Sequence, residues 1–416
     1  MTGAGNPFVV YRHQLDVHRR AIAVGFSDEH FIDLVESLDA RVAAVAGTGF
    51  VATPLLPLTM PIANRRFLAK VETANVGGSH KARHLFGLLL FAEIERASVG
   101  GADAAERTLG IASCGNAALA AAIIARAAER PLDVFVPLDA DPRVLARLRD
   151  LGARVVSCER RPGELGDPCV ARLAVAIESG ARPFTVQGTT CPDAFDGART
   201  LGLELSDQLD DLGVTEGEGH VDGGFDLYLQ VGGGALTVAT MDGLERAGRT
   251  RMRLHPVQAE RAHPYVAAWE RMVPRLLSAE GLVHPGRPDL LGSVLADPAR
   301  RGHFDRLLAT AEDIMVPWPA PQTSVASGIL DDVTYDWRPL MIHQLRSGGW
   351  PVLATEQQLE RATAVAAGQV VPPPDATGAA GLAGAMADRV VSIDSHSSND
   401  AAVVVLSGVD RAYEAS

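Results

Sequence analysis

One lysine stands in a setting that suits covalent chemistry better than solvent exposure. Lys81 follows the turn-forming run Gly77-Gly78-Ser79-His80 and opens an apolar stretch, which predicts a helix from Lys81 to Ile94. The amino end of a helix carries partial positive charge and therefore favours the neutral form of an amine. A neutral amine can form a Schiff base with a carbonyl compound. Since most lysines are solvated surface residues, position alone makes Lys81 only a candidate for this chemistry.

The loop Ala112-Ser113-Cys114-Gly115-Asn116 is a second candidate, because it joins a predicted strand to an Ala-rich predicted helix. Exposed N–H groups and short hydroxyls at the start of a helix bind carboxylates. Ser113 or Asn116 can equally serve as the cap of that helix. Cys114 has no identifiable base that would make it a nucleophile, so we interpret it as a small packing residue of the loop.

A glycine run, Gly232-Gly233-Gly234, follows a predicted strand and precedes Ala235-Leu236 and a predicted helix. The backbone N–H groups of such a turn, together with the helix dipole, can surround a phosphate. A dinucleotide fingerprint requires a third glycine where Thr237 stands, and no Gly-Lys-Ser/Thr follows to make a P-loop. The run is therefore either a phosphate site for another cofactor or a plain flexible turn.

Alternating strands and helices position these loops. We predict helices at 81–94, 116–129, 142–151 and 168–178, and strands at 67–71, 108–112, 134–136, 154–156, 184–186, 226–231, 254–258 and 402–406. Such alternation predicts parallel sheets built from right-handed βαβ units. Ligands of these sheets bind at the carboxyl ends of the strands, where the loops above and Ser407-Gly408 lie. Alone, Ser407-Gly408 is typical of an ordinary turn.

At 416 residues the chain is too long for one hydrophobic core, so we expect two doubly wound α/β lobes. Residues 1–52 are predicted to form a helical leader that is broken at Gly47-Thr48-Gly49. A linker with Pro54, Pro57 and Pro61 follows. Residues 53–106 and 188–416 are expected to form the large domain, and residues 107–187 a small α/β domain inserted in it.

Composition narrows the classes of partner. The net charge is −13 and no Lys/Arg-rich run occurs, which argues against nucleic acid and anionic membranes. The most apolar stretch, residues 117–125, is far shorter than the ~20 residues of a membrane helix. The four cysteines show no CxxC pair and no zinc-like spacing, so we expect no metal site and a reducing, cytoplasmic location.

Taken together and in this order, the loops resemble those of the fold-type II enzymes that depend on pyridoxal 5′-phosphate (PLP). This family includes threonine and serine dehydratases, threonine synthase, cysteine synthase and the β subunit of tryptophan synthase. The matching segments are residues 72–83, 112–116, 195–204, 232–236, 377–380 and 404–408. The resemblance extends from about Thr53 to Arg411, which is nearly all of the chain beyond the leader.

The resemblance implies a role for each loop and, for the whole chain, an amino-acid substrate and a homodimer. Lys81 would hold PLP as a Schiff base and remove the α-proton of the substrate. The other cofactor-binding residues would be Asn116 at the 3′-oxygen, Ser407 at the pyridine nitrogen, and Gly232, Gly233, Gly234, Ala235 and Leu236 at the phosphate. The substrate-binding residues would be Ser79, Ser113, Cys114 and Gly115.

A hydroxyl at Ser407 favours particular reactions. Unlike an aspartate, it does not keep the ring nitrogen protonated, which disfavours transamination and favours prompt departure of a β- or γ-substituent. We therefore expect a lyase similar to threonine or serine dehydratase. The alternative is a β- or γ-replacement synthase resembling threonine synthase or cysteine synthase, with Arg83, Arg199 and Arg261 as candidates to bind a substrate phosphate. A third interpretation, a non-catalytic PLP-fold binding protein, is disfavoured by the presence of Lys81.

The sequence departs from the dehydratase pattern at several positions. His80 replaces an aromatic residue, Cys114 replaces a hydroxyl or glycine, Asp375-Ala376 replaces Glu-Pro and Val409-Asp410 replaces Gly-Asn. Residues 256–260 and 323–329 are predicted to line the substrate pocket. Because the polar side chains of these segments can equally be structural, the sequence does not identify the substrate side chain.

Overall fold

The computed structural model describes residues 5–60, 65–99, 107–161, 164, 166–214, 224–319, 322–388 and 401–411. It divides into two compact units: unit 1 comprises Met1–Thr53 and Ala74–Glu204, and unit 2 comprises Pro54–Thr73 and Leu205–Ser416. Each unit is built around its own sheet. Among the described residues, no helix has the length and apolarity needed to cross a membrane.

The elements are numbered along the chain. The strands are β1 (Leu55–Leu58), β2 (Arg66–Val71), β3 (Leu109–Ala112), β4 (Leu132–Pro137), β5 (Arg154–Cys158), β6 (Arg182–Pro183), β7 (Phe225–Gln230), β8 (Met252–Ala259), β9 (Val352–Ala354) and β10 (Ala401–Leu406). The helices of the first half are α1 (Pro7–Val10), α2 (Asp16–Ala23), α3 (Asp28–Ala46), α4 (Lys81–Val99), α5 (Asn116–Ala127), α6 (Pro142–Asp150), α7 (Pro168–Glu178) and α8 (Ala194–Asp211). Those of the second half are α9 (Ala235–Arg246), α10 (Pro264–Ala279), α11 (Pro288–Leu295), α12 (Arg301–Thr310), α13 (Trp337–Ser347), α14 (Glu356–Ala367) and α15 (Ala380–Ala387).

Unit 1 contains a four-stranded parallel sheet in the order β5-β4-β3-β6. Helices α5, α6 and α7 connect its strands, which confirms the predicted βαβ units. The strand predicted at 184–186 was misplaced, because β6 consists of Arg182–Pro183. Pro183 has no N–H to donate to the ladder, and Phe184 N donates to Gly110 O (2.8 Å) as the chain leaves the sheet. The apolar character of 184–186 reflects burial rather than strand pairing.

The leader is helical, as predicted, and packs within unit 1. Ser27 Oγ accepts a hydrogen bond from His30 N (3.1 Å) at the start of α3, and the helix ends at Gly47 with φ 80°. Helix α2 starts against α8, where the Asp196 carboxylate accepts from Asp16 N (2.8 Å) and Val17 N (2.9 Å). The leader is therefore part of a folded unit rather than a separate segment.

The division into units differs from the predicted domains. Residues 74–99 and the start of α8 were expected in the large domain, yet they lie in unit 1. Helix α4 packs against α5 of the unit 1 sheet, and a Cβ on Gly87 would lie 2.8 Å from Gly197 Cα. Two facing glycines let α4 approach the start of α8 closely within unit 1.

Unit 2 contains a six-stranded sheet in the order β1-β2-β10-β7-β8-β9, in which only β1 runs antiparallel to its neighbour. All residues of β7 and β10 are buried, as expected for central strands covered on both faces. The predicted linker is wrong in part, because β1 runs through Pro57, which pairs with Leu68. A proline is tolerated there since β1 is an edge strand. Pro351 precedes the other edge, β9, and Pro61 lies outside the described residues.

Helix α15, rich in alanine and glycine, packs on this sheet. A Cβ on Gly381 would lie 2.7 Å from Tyr228 O, so the helix backbone touches β7 at that point. The absence of large side chains allows the segment Thr377-Gly378-Ala379 before α15 to lie against the end of β10. This contact positions the residue that follows β10.

Candidate active site

Lys81 is the first residue of α4 and is partly exposed. The turn before it is a single 3-10 turn, Val76–Gly78, in which Asn75 Oδ1 accepts from Val76 N (2.8 Å). Gly77 has φ 66° and a Cβ there would lie 3.4 Å from Ile123 Cδ1 of α5. Glycine is therefore required at position 77 both by the left-handed backbone conformation and by the close approach of α5. The predicted helix start at Lys81 is confirmed.

Two buried histidines flank Lys81 in the chain. Burial, followed by the charge of Lys81, holds the pKa of His80 well below its usual value. The same causes, in the same order, lower the pKa of His84 to about 3, and its Nδ1 donates to Ala194 O (2.8 Å). Both imidazoles are therefore neutral near pH 7 and add no positive charge near Lys81.

Arg83 is fully buried and bound by α8. Its guanidinium donates to Glu204 Oε1 (2.6 Å) and Oε2 (3.1 Å) and to Thr200 Oγ1 (2.9 Å). Asp196, Thr200 and Glu204 are spaced four residues apart on α8, so one helix face binds both the leader and α4. The sequence marked this face only as a family-like segment, and its structural role was missed.

The structure leaves fewer arginines that are suited to bind a substrate phosphate. Arg83 is committed to Glu204, and Arg199 forms ion pairs with Asp16 and Asp196. Arg261, in unit 2, is exposed, and its carbonyl accepts from Trp318 Nε1 (3.0 Å). Two of the three guanidinium groups therefore already have carboxylate partners within unit 1.

The loop 112–116 joins β3 to α5 as predicted. Ser113 N donates to Phe135 O (3.2 Å), and Ser113 Oγ accepts a long hydrogen bond from Gly115 N (3.4 Å). Gly115 is the N-cap residue of α5, and a Cβ on it would meet no described atom within 4 Å. Cys114 is exposed, so its interpretation as a packing residue was wrong. The loop presents its backbone to open space at the start of a helix that begins with Asn116.

In unit 2 the glycine run forms the turn between β7 and α9. Gly234 is the N-cap residue with φ 103°, and Gly233 O accepts from Asp336 N (2.8 Å). A Cβ on Gly232 would lie 2.5 Å from Asp331 Oδ2 and 3.2 Å from Ile329 Cα. The backbone N–H groups of residues 232–236 donate to no acceptor among the described residues. A row of unused donors at a helix start fits an anion such as a phosphate.

Ser407 follows β10 and is almost completely buried. Its N–H donates to Gly378 O (3.3 Å), and a side chain on Gly378 would overlap the Ser407 carbonyl. Asp375 completes the arrangement: its Oδ1 accepts from Gly378 N (2.6 Å) and its N–H donates to Gly408 O (2.8 Å). Burial raises the pKa of Asp375 to about 6. The aspartate that departs from the Glu-Pro pattern thus holds the turn beside Ser407.

The two segments that were predicted to line the substrate pocket form hydrogen bonds within unit 2. In 256–260, the Gln258 side chain accepts from Tyr265 N (2.9 Å) and Val266 N (3.2 Å) and donates to Val231 O (3.2 Å). In 323–329, Gly328 N donates to Thr377 Oγ1 (3.0 Å). Gln258 is therefore satisfied by its own unit and fixes the residue before Gly232.

Gln230, the last residue of β7, was not identified from the sequence. Its Nε2 donates weakly to Gly378 O (3.4 Å), and its buried Oε1 has no hydrogen-bond partner in the described part of the chain. A polar side chain at the end of a buried strand, just before a glycine run, was the available signal. Gln230 connects the end of β7 with the Gly378 carbonyl that also binds Ser407 N.

Three of the solved structures that share this fold are enzymes. A threonine deaminase from T.th. is 22% identical, with a TM-score of 0.58 and coverage of 91% of this chain and 98% of that chain. Diaminopropionate ammonia lyase from Escherichia coli is 14% identical, with a TM-score of 0.60 and coverage of 92% and 90%. Maize serine racemase is 15% identical, with a TM-score of 0.59 and coverage of 92% and 96%. At these identities the likeness shows the fold alone.

Sequence comparison identifies the family. No curated protein matches the chain significantly. Residues 47–408, most of the chain, match the family described as "Pyridoxal-phosphate dependent enzyme". This match confirms the predicted fold-type II architecture and cofactor. The chain therefore belongs to the family of pyridoxal-phosphate dependent enzymes.

Proposed function

We propose that the chain is a PLP-dependent lyase that removes the α-proton and a β-substituent from an amino acid similar to serine or threonine. Lys81 is proposed as the lysine that binds PLP because the chain contains few lysines. Of the 38 lysine and arginine residues in the chain, only Lys70 and Lys81 are lysines. Lys70 is fully buried in β2 and its Nζ donates to Gln208 Oε1 (3.0 Å). Lys81, partly exposed at a helix start, is better placed than the buried Lys70 to react with a carbonyl group.

Both units contain residues suited to binding PLP, and a separate observation supports each of them. The unused N–H groups of Gly232, Gly233, Gly234, Ala235 and Leu236 suit its phosphate. In unit 1, Asn116 opens α5 beside the open loop and is the proposed ligand of the 3′-oxygen. Ser407, buried and held through Gly378, is the proposed partner of the pyridine nitrogen.

When bound, PLP supplies an electron sink for the carbanion that forms as the α-proton leaves. Lys81 Nζ accepts that proton, and the neutral imidazoles of His80 and His84 add no charge that would oppose it. Ser113 and Gly115 orient the substrate carboxylate, with Ser79 and Cys114 beside them in the proposed site. As a neutral hydroxyl, Ser407 would donate a hydrogen bond to the pyridine nitrogen without protonating it, which limits charge delocalisation and favours loss of the β-substituent.

A replacement synthase acting on a phosphorylated substrate is the weaker alternative. Such a substrate needs a cationic cluster, whereas Arg83 and Arg199 are already paired with carboxylates. Breaking the buried Arg83–Glu204 pair would leave an uncompensated charge, so Arg83 is a poor ligand for a transient phosphate. The homodimer remains an expectation from the family resemblance.

Two measurements test the proposal. Borohydride reduction of the PLP-loaded protein followed by peptide mapping should place the label on Lys81 and leave Lys70 unlabelled. Label on Lys70, or on neither lysine, would reject Lys81 as the anchor. Lys81→Ala should also abolish the absorbance band of the bound cofactor.

The reaction is tested by assaying ammonia and 2-oxo acid release from L-serine, L-threonine and their O-activated analogues, with and without a thiol. Release of 2-oxo acid without thiol supports the lyase. Formation of a thioether only in the presence of thiol supports the replacement synthase. Inversion of the α-carbon without release of ammonia would overturn both reactions.

A further inference from the structure

Unit 2 contains a cavity that is distinct from the loops described above. Its volume is about 500 Å³, which lies within the range of small-molecule sites in proteins. Helices α9, α12 and α13 and strand β8 contribute its walls. The side chains that decide its chemistry are Met241, Glu245, Arg249, Met252, Arg301 and Arg346.

The cavity is well separated from the glycine turn of the same unit. Met241 and Glu245 lie in the second half of α9, whose first residue follows Gly234. A helix of 12 residues spans about 18 Å at about 1.5 Å per residue. A ligand in this cavity therefore does not occupy the phosphate-binding turn.

The walls are richer in guanidinium groups than in carboxylates, although the whole chain carries a net charge of −13. Arg249 is buried and fixed, since it pairs with Asp210 (2.6 Å) and donates to Ser206 O (2.7 Å). The one lining carboxylate, Glu245, accepts from His343 Nδ1 (2.8 Å). Burial lowers the pKa of His343, but its contacts with Asp242 (3.1 Å) and Glu245 outweigh burial and raise the pKa to about 9. The charged imidazole therefore offsets negative charge at Glu245 near pH 7.

Two guanidinium groups are available for a ligand. Arg301 is exposed and forms no hydrogen bond or ion pair through its side chain with the described residues. Arg346 pairs with Asp305 (2.8 Å), but both side chains are more than one third exposed. Such a surface pair contributes little energy, so Arg346 can turn towards a stronger anion. Met241 and Met252 are buried and give the cavity an apolar side.

We propose that this cavity binds a small molecule that carries an oxyanion, either a carboxylate or a phosphate. Arg301 and Arg346 bind the oxyanion, and Met241 and Met252 contact the apolar part of the ligand. Guanidinium groups suit both anions because their planar donors match the oxygen spacing of each. The site is a second binding site of the protein, apart from the one proposed for PLP and substrate.

The test measures binding of inorganic phosphate and of butanoate to the PLP-loaded protein by calorimetry, at constant ionic strength. Loading with PLP keeps the cofactor's phosphate site from binding the free phosphate. Arg301→Gln is compared with Arg361→Gln, a change at another exposed arginine, on α14 outside the cavity. We expect saturable binding of at least one anion, weakened about tenfold or more by Arg301→Gln and unchanged by Arg361→Gln.

Each result decides the proposal. Binding of phosphate alone identifies a phosphate ligand, and binding of butanoate alone identifies a carboxylate ligand with an apolar tail. If butanoate binds instead at loop 112–116, its affinity will not change in Arg301→Gln. That result would count against the cavity. The proposal is overturned if neither anion binds saturably or if the two variants bind equally.

Discussion

Arg83 and Glu204 form a buried bidentate ion pair, with Nη1–Oε1 at 2.6 Å and Nη2–Oε2 at 3.1 Å. Neither side chain is exposed by more than 1%. The Thr53 N–H donates to the same carboxylate (3.1 Å), so the pair joins three segments of unit 1. Because Arg83 lies two residues after Lys81, this pair fixes the first turn of the helix that presents the lysine.

We predict that Arg83→Met destabilises the protein by about 3–5 kcal/mol, since Glu204 would remain buried without a counter-charge. Denaturant unfolding at pH 7 measures the free energy change. Arg275→Gln is the control, because Arg275 and Asp313 are each at least half exposed, and its cost should stay below about 1 kcal/mol. Equal losses in the two variants would show that the Arg83–Glu204 pair has no special structural role.

Gly232→Ala should weaken binding of PLP while leaving the fold intact. The added methyl would meet Asp331 Oδ2 at 2.5 Å and Ile329 Cα at 3.2 Å, so the turn must shift away from its phosphate-binding geometry. We expect a loss of affinity of about tenfold or more, measured by titrating cofactor-free protein with PLP. Gly368→Ala is the control, because its methyl would have only ordinary contacts at 3.7 Å. Unchanged affinity in Gly232→Ala would remove this turn from the proposed site.

The buried Asp375 carboxyl predicts a loss of stability as pH rises from about 4 to about 6. Its pKa is raised from 3.8 to about 6, so the folded state binds the proton more tightly than the unfolded state. The free energy of unfolding should therefore fall across this interval, by at most about 3 kcal/mol from this group. Asp375→Asn should flatten the curve, whereas Asp139→Asn, at an exposed position, should not. Parallel curves for the wild type and Asp375→Asn would contradict the assignment.

His343 predicts a second decline in stability, on the alkaline side of the pH profile. Its pKa is raised from 6.5 to about 9, so the stability it contributes is complete below about pH 6.5 and is lost as pH rises through about 9. His343→Gln should lack this decline, which amounts to at most about 3.5 kcal/mol. Chemical unfolding at pH 6.5, 8 and 9.5 measures it, with His30→Gln as an exposed control. If the wild type keeps its stability to pH 9.5, the Asp242 and Glu245 contacts do not stabilise the protonated ring.

Local patterns in the sequence predicted the central elements well. The strands around 67–71, 226–231 and 402–406 are mostly apolar because both of their faces are buried, and the structure confirms them. Lys81 at the start of α4 and Gly47 at the end of α3 were likewise predicted from helix signals. These features depend on residues that are adjacent in the chain.

Features that depend on distant residues were not predictable in this way. Helix α4 lies in unit 1, where Gly87 approaches Gly197, a residue more than 100 positions away in the chain. The sequence left Arg83 as a candidate phosphate ligand because its partner Glu204 is equally remote. The small residues around Cys114 predict a packed position, whereas the chain turns outward there. A single sequence carries no signal for such pairings.

The prolines of the outer strands have a consequence for how copies of this chain meet one another. Pro57 lies in β1, Pro183 lies in β6, and Pro351 immediately precedes β9, so each of these three outer strands has a proline in it or just before it. Without those N–H groups, an outer strand is a poor template for a strand of another molecule. These three edges are thereby guarded against intermolecular strand addition, whereas the fourth outer strand, β5, contains no proline.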